Sequence, residues 1–533
     1  MSPRATPGSP YERKQPTLHP LLKKKKVGLL LPLFSLRAER DWGAGDISSM
    51  CAWLDILKAA RLSILQILPV NEMPPGVNCP YTALSAFAVD PVYLDPEAVE
   101  ELSQSPRAKK LLASRRFRAR IAAMRRAKHI NYDAIRGAKL EVLREIHSVF
   151  RERHQTLRTP QARAFSAFCA KNAYWLDDYA LFRALKEKHG WISWTHWPQE
   201  LRNRRPQALR AAAAELEPEI SFFKYLQWLI QRQWNPVRRK AAKLGICLFG
   251  DLPFMVNQES ADIWARQNEF DISLSIGAPP DTWTPSGQKW GLPACRWPRA
   301  QKNNFEWWRL KLKKAGELYD IYRIDHMVGF FRTWIVPEDP RQKPHFDLEG
   351  DRRQENRGRR FLLALRSASK MLPVGEDLGL IPPYVGKVLA ETGVPGYKIP
   401  RWEKTGTEYT DLSRYYPVSL ATTCTHDMDT LAAWWDSVDE NERRLFWKMV
   451  SGGGPAPALK KALDPIIKKL INSSSRLVIL PFQDIWGMKD RINTPNTVGP
   501  HNWSFRPKTP AEKFIRRHGS TLSKLARWIK EAR

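Results

Sequence analysis

Tyr322-Arg323-Ile324-Asp325-His326-Met327-Val328-Gly329-Phe330 closes a run of alternating character that begins at Leu318. The alternation predicts a strand, and side chains two apart on a strand share a face. Arg323 and Asp325 are therefore expected side by side at its end. A guanidinium beside a carboxylate favours the ionised form and keeps that carboxylate available as a nucleophile at neutral pH. An Arg-x-Asp is also what a structural ion pair looks like, so its weight depends on the rest of the chain.

Two further stretches supply that weight. Leu372-Pro373-Val374-Gly375-Glu376-Asp377 is a short apolar run ending in two acids, and Thr422-Thr423-Cys424-Thr425-His426-Asp427 is a β-prone run ending in His-Asp. Each predicts a strand with acid at its C-terminal end, where a parallel α/β barrel places its active site. Three such acids suggest retaining glycosidase chemistry: a carboxylate nucleophile, a carboxylic acid and a third acid for the substrate.

Working outward, strand-like runs recur at 27–33, 65–70, 246–254, 319–325, 372–376, 396–399, 419–425 and 477–481. Nearly all are separated by helix-length connections. The pattern predicts an α/β chain folded as one (β/α)8 TIM barrel over residues 27–533, with long active-site loops. From about 96 to 243 the signal is almost wholly helical, more than one crossover needs, which predicts a large helical insertion between two barrel strands. Several of its tryptophans (175, 191, 194, 197, 228 and 234) fall on the apolar face of a helical pattern, so they are expected to pack. Three stretches read as loops: the Pro/Gly/Asn-rich 71–81, the aromatic and polar 277–291, and the charged 338–360. Residues 1–26, with prolines at 3, 7, 10 and 16, predict a disordered N-terminal tail.

Lys and Arg number 86 against 55 Asp and Glu, a net charge of +31, which usually points to nucleic acid or an anionic surface. The basic residues are spread, with dense stretches at 23–26, 115–126, 202–205 and 352–360. None carries a nucleic-acid motif with interleaved aromatics, so a solvated basic surface without specific nucleic-acid binding is expected. Six cysteines lie far apart with no CxxC or Cys/His cluster, which signals neither zinc nor disulfides and fits a reducing cytoplasm. No continuous apolar segment makes a signal peptide, and 27–33 is too short to span a membrane.

An ordered set of blocks resembles the 4-alpha-glucanotransferases of the amylomaltase or disproportionating-enzyme type, glycoside hydrolase family 77 of the alpha-amylase clan. The blocks are Gly250-Asp251-Leu252-Pro253-Phe254, Gly277-Ala278-Pro279-Pro280-Asp281, Gly287-Gln288-Lys289-Trp290-Gly291, Arg323-Ile324-Asp325-His326, Glu376-Asp377-Leu378-Gly379, Thr425-His426-Asp427 and Asn493-Thr494-Pro495. The resemblance runs from about Leu29 to Arg506. It implies that Asp325 is the nucleophile, Glu376 the general acid/base and Asp427 the transition-state-stabilising acid. It further implies that Arg323 and His426 flank the transferred glycosyl unit, and that Tyr81, Asp281, Gln288, Trp290 and Asn493 line sugar subsites. Asp251 sits on a matching motif, where a strand-end structural role and substrate contact are both open. The sequence departs from the family pattern at Cys79, Leu292 and Asn496, where the family has serine, asparagine and glycine.

The implied partners are maltooligosaccharides and alpha-glucans, and the implied chemistry needs no metal or organic cofactor. Glu376 must hold its proton near neutral pH, which partial burial and the acids Asp377 and Asp325 would favour. Two other readings use the same residues: a hydrolase of the same clan, which delivers the glycosyl unit to water, and a silent glucan-binding protein. Retention of all three acids with Arg323 and His426 speaks against silence.

Overall fold

The computed structural model describes residues 18–280 and 284–532. The eight apolar runs become eight strands: β1 (Lys26–Leu30), β2 (Ile64–Gln66), β3 (Cys247–Leu252), β4 (Ile321–Ile324), β5 (Leu372–Gly375), β6 (Gly396–Lys398), β7 (Ser419–Thr422) and β8 (Leu477–Pro481). Their order is β6-β7-β8-β1-β2-β3-β4-β5, and every paired neighbour is parallel. The two ends of that order meet where Gly375 N donates to Pro395 O at 2.9 Å. Chain neighbours are therefore space neighbours all the way round, which is a (β/α)8 barrel. Strands buried on both faces read as unbroken apolar runs, and β8 is buried at all five positions. At Gly250 in β3 a Cβ would come within 2.3 Å of the Tyr319 ring, so ring and strand pack only over glycine.

After β1 the chain enters α1 (Ile47–Ala59), started by a capping box in which Asp46 accepts from Ser49 N at 2.9 Å. Such a cap stabilises by about 1 kcal/mol. Between β2 and β3 lie α2 (Pro106–Ala113), α3 (Arg115–Arg126), α4 (Tyr132–Val149), α5 (Pro160–Lys188) and a long helix Glu217–Leu244, with shorter helices among them. Trp175, Trp194, Trp197, Trp228 and Trp234 are buried there, and Trp191 is capped by the Arg183 guanidinium at 4.7 Å. One core cluster runs from the barrel into these helices.

The part of the expected N-terminal tail that is described, 18–26, belongs to the fold. Leu22 is buried, Lys25 Nζ donates to Ile471 O at 3.0 Å, and Lys26 opens β1. Residues 1–17 lie outside the described residues.

The stretch 277–291 is not simply loop. It belongs to an antiparallel four-stranded sheet of Gln288–Cys295, Phe270–Ala278, Trp334–Pro337 and His345–Phe346, in that order. Pro293 sits in the outermost strand, where a missing N–H is tolerated, and proline and glycine there hide the strand from a pattern reading. The charged stretch 338–360 likewise runs into a helix, Asp351–Ala368. Its buried stripe includes Gln354, Arg357 and Gly358 beside Phe361, Leu362 and Leu365. Three of its seven buried residues are not hydrophobic, and burial of Arg357 is tolerated because Asp347 neutralises it at 2.5 and 3.0 Å.

Candidate active site

The acid-bearing strand ends converge on the C-terminal rim of the barrel. β3 delivers Asp251, and β4 delivers Arg323 and then Asp325. Glu376 follows β5, His426 and Asp427 follow β7, and Asn493 comes from the segment after β8. The alternation in β4 acts as expected: Arg323 Nη1 donates to Asp325 Oδ1 at 2.6 Å. Register places Asp251 directly across from Arg323, and the same nitrogen reaches both Asp251 oxygens at 3.0 and 3.1 Å. Nη2 lies 3.6 Å from Glu376 Oε2. One buried guanidinium thus touches three carboxyl groups.

Tyr81, from the loop after β2, donates to Asp251 Oδ2 at 2.7 Å and stacks its ring on His426 at 5.3 Å. Asp251 is 1% exposed and both its oxygens are engaged.

The chain bends sharply after Asp325. His326 takes a left-handed φ of 47°, a strain of about 1–2 kcal/mol for a residue with a Cβ. The bend aims His326 N at Glu376 Oε2, 2.8 Å away. The His326 ring is held edge-on between Trp290 at 4.7 Å and Phe254 at 5.5 Å, while Phe254 N donates to Asp325 Oδ2 at 3.2 Å. The nucleophile candidate is oriented at both oxygens.

Burial pushes the Glu376 carboxyl up to about 8, with Arg323 pulling it down and Asp325 and Asp427 adding to the rise. The expected contribution from Asp377 is replaced by another arrangement. Asp377 turns toward β6, where its Oδ1 accepts from Tyr397 N at 2.6 Å and its carboxylate occupies the space a Cβ on Gly396 would need. Burial also raises Asp377, to about 7.

Asp427 goes the other way. Burial works against its ionisation, but His426, the Asn493 amide and Arg323 outweigh it and hold the carboxyl down at about 2. Its side chain is 41% exposed. Asn493 Nδ2 donates to Asp427 Oδ1 at 2.7 Å. His426 Nε2 lies 3.0 Å from Oδ2, close enough for an ion pair but without hydrogen-bond direction. The rim therefore sets a carboxyl whose hold on its proton burial raises beside one held ionised, the kind of environmental separation that assigns acid and anionic roles.

Gln288 and Trp290 project from the antiparallel sheet, linked by Trp290 Nε1 donating to Gln288 Oε1 at 2.9 Å. Asp281 lies outside the described residues, as does Trp283. Asn496 adopts φ 60°, a conformation that glycine takes freely and asparagine tolerates better than most, so this departure from the family pattern keeps the turn. Its Nδ2 lies 3.4 Å from Thr284 Oγ1.

Two contributors carried no spacing signal in the sequence. Trp503 places its ring 5.7 Å from both Tyr81 and His426. Arg491 donates to the carbonyls of Asp427 at 2.7 Å and Asn493 at 3.1 Å, and to Asp429 Oδ1 at 2.8 Å, tying the two loops together. Among the described residues no group of three or more His, Cys, Asp or Glu is arranged to hold a metal ion.

A parallel barrel with three acids gathered around a buried arginine on its rim defines a class, the enzymes that work on glycosidic bonds. The chain belongs to the 4-alpha-glucanotransferase family, glycoside hydrolase family 77, whose model matches residues 31–510. It is 32% identical to the 4-alpha-glucanotransferase of Thermus thermophilus, with 94% of this chain and 98% of the relative covered. It is 30% identical to that of Chlamydia muridarum, with 94% of each covered. The fold is shared with the amylomaltase from Streptococcus agalactiae solved with acarbose, at a TM-score of 0.80, 22% identity and coverage of 96% of this chain and 99% of that one.

Proposed function

We propose that the protein moves alpha-1,4-glucan segments from a donor to the 4-hydroxyl of an acceptor glucan or glucose by a retaining double displacement. The observation that carries this reading is the contact of one buried guanidinium with Asp325 and Glu376, with Glu376 held protonated beside an oriented Asp325. In the first half, an Asp325 oxygen attacks the anomeric carbon. The bond to the leaving oxygen breaks, and Glu376 gives that oxygen its proton. In the second half, Glu376 takes the proton from the acceptor 4-hydroxyl, whose oxygen displaces Asp325 from the anomeric carbon. Two inversions give net retention. Asp427 stays ionised and steadies the sugar and its developing positive charge, with Asn493 and His426 holding it in place. Tyr81, Gln288 and Trp290 supply ring faces and polar atoms for sugar units, and the acarbose bound by the streptococcal relative supports an oligosaccharide in this cleft.

Residues 27–533 act on this reading as one catalytic unit, with the helices between β2 and β3 as its insertion. The six cysteines are all free, which supports a reducing, cytoplasmic setting. No described helix is long and apolar enough to cross a membrane.

Incubation with maltotriose, products resolved by chain length, tests the assignment. A ladder of longer and shorter maltooligosaccharides is expected, and it disappears in a folded Asp325→Ala protein. Shorter products alone from the wild type replace this reading with the hydrolase.

A further inference from the structure

Helices α2 and α3 meet at Ser114, whose hydroxyl accepts from Phe117 N at 3.2 Å and caps α3. Residues 106–126 contain nine Lys and Arg and no Asp or Glu. Arg107, Lys109, Lys110, Arg115, Arg116 and Arg118 are exposed and form no ion pair among the described residues, whereas nearby Arg120 meets Glu141 at 2.8 Å. Six uncompensated cations on two short helices make a strong local field.

The apolar stripe of α3 is already used. Phe117 packs edge-on to Trp42 at 5.6 Å, and the Met124 carbonyl would lie 2.9 Å from a Cβ on Gly43. No large hydrophobic side chain of 106–126 is exposed, so the surface offers no wedge for lipid and no ring for base stacking. It offers charge alone.

This surface is fastened to the catalytic rim. Arg125 donates to the carbonyls of Ala38 and Glu39 in the loop after β1. Arg506 bridges Gly43 O and Ala127 O. Tyr132 Oη donates to Trp503 O at 2.7 Å, and the Trp503 ring abuts Tyr81 and His426. A polymer lying on the cations is within a few contacts of the cleft.

A neutral glucan gains nothing from fixed cations. One that carries phosphate monoesters brings about −1.5 to −2 charges per group at pH 7, matched by the fork of arginine. We propose that the α2–α3 surface binds alpha-glucans bearing phosphate monoesters and delivers them to the rim. This rests on the glucan reading of the site.

The test uses the full-length protein, an enzymatically phosphorylated amylodextrin, and the same dextrin after phosphatase treatment. At about 50 mM salt the phosphorylated form is expected to bind about tenfold tighter, with the difference lost near 200 mM. Arg115→Glu/Arg116→Glu/Arg118→Glu is expected to remove the difference, as is the milder triple Gln variant in part. Both variants should keep the wild-type melting temperature and maltotriose turnover. Equal binding of the two dextrins, or a preference that survives charge reversal, overturns the proposal. Duplex RNA or phosphatidylserine vesicles competing as well as the phosphorylated dextrin at equal phosphate also overturn it, in favour of a general polyanion surface. Failure of maltotriose disproportionation sinks the catalytic reading and leaves the binding comparison readable.

Discussion

Arg323 Nη1 touches Asp325 and Asp251 at once, and Glu376 stands near the other nitrogen. The planar fork presents its second nitrogen to Glu376 while the first serves the two aspartates. The consequence falls on Glu376. Its carboxyl holds a proton to about 8 in the folded chain against 4.5 ordinarily. Between those values the folded state binds one proton more than the unfolded chain, so stability falls with rising pH. The contribution is complete below 4.5 and gone once the pH passes through about 8. Glu376→Gln, permanently neutral, is expected to lose less melting temperature than wild type between pH 7 and 9. Its transfer rate should fall about 10²–10⁴-fold, the usual share of general acid/base catalysis. For wild type, kcat/KM should decline on the basic side with an apparent pKa near 8. A profile flat to pH 9.5 removes Glu376 as the acid.

At the scale of elements, the loop after β2 that carries Tyr81 is anchored from the helices. Glu72 accepts from Arg183 Nε at 2.9 Å and from the Tyr179 hydroxyl of α5, and both partners of the ion pair are almost fully buried. Arg183→Ala strands a buried carboxylate and is expected to cost roughly 3–5 kcal/mol, measured as a lower urea midpoint with unchanged slope. A loss below 1 kcal/mol means the pair is not what holds α5 to the loop. All eight barrel strands were legible because doubly buried strands are apolar runs. The strand at 288–295 and the helix at 351–368 were not, and the strand at 270–278, although Phe270 to Ile276 alternate, was passed over. Gly291 and Pro293 in the strand at 288–295 and buried Gln354, Arg357 and Gly358 in the helix break the local pattern, because the contacts that form these elements are made across space.

For the molecule as a whole, the proposed reaction turns on which acceptor would reach a glycosyl group held on Asp325. Water is far more abundant than sugar, so transfer prevails only where the walls hold an acceptor in attack geometry and exclude water. Tyr81 is stacked on His426 and bonded to Asp251, and on the proposed function it forms part of that wall. Tyr81→Ala is expected to raise the ratio of reducing ends released to glycosyl units moved, severalfold with excess glucose as acceptor. An unchanged ratio removes Tyr81 from acceptor control.

The sequence by itself determined the barrel, the placing of Asp325, Glu376 and Asp427 at strand ends and the neighbourhood of Arg323 and Asp325, because period-two alternation and apolar runs are local properties that survive without knowledge of contacts. Tertiary structure alone decided that Asp251 is engaged internally and that Asp377 faces Tyr397 rather than Glu376. It also brought Trp503 and Arg491 to the site and made 18–26 part of the fold. Each of these depends on which atom lies within a few ångströms in space. Hydrogen bonds and desolvation act over that distance whatever the separation along the chain.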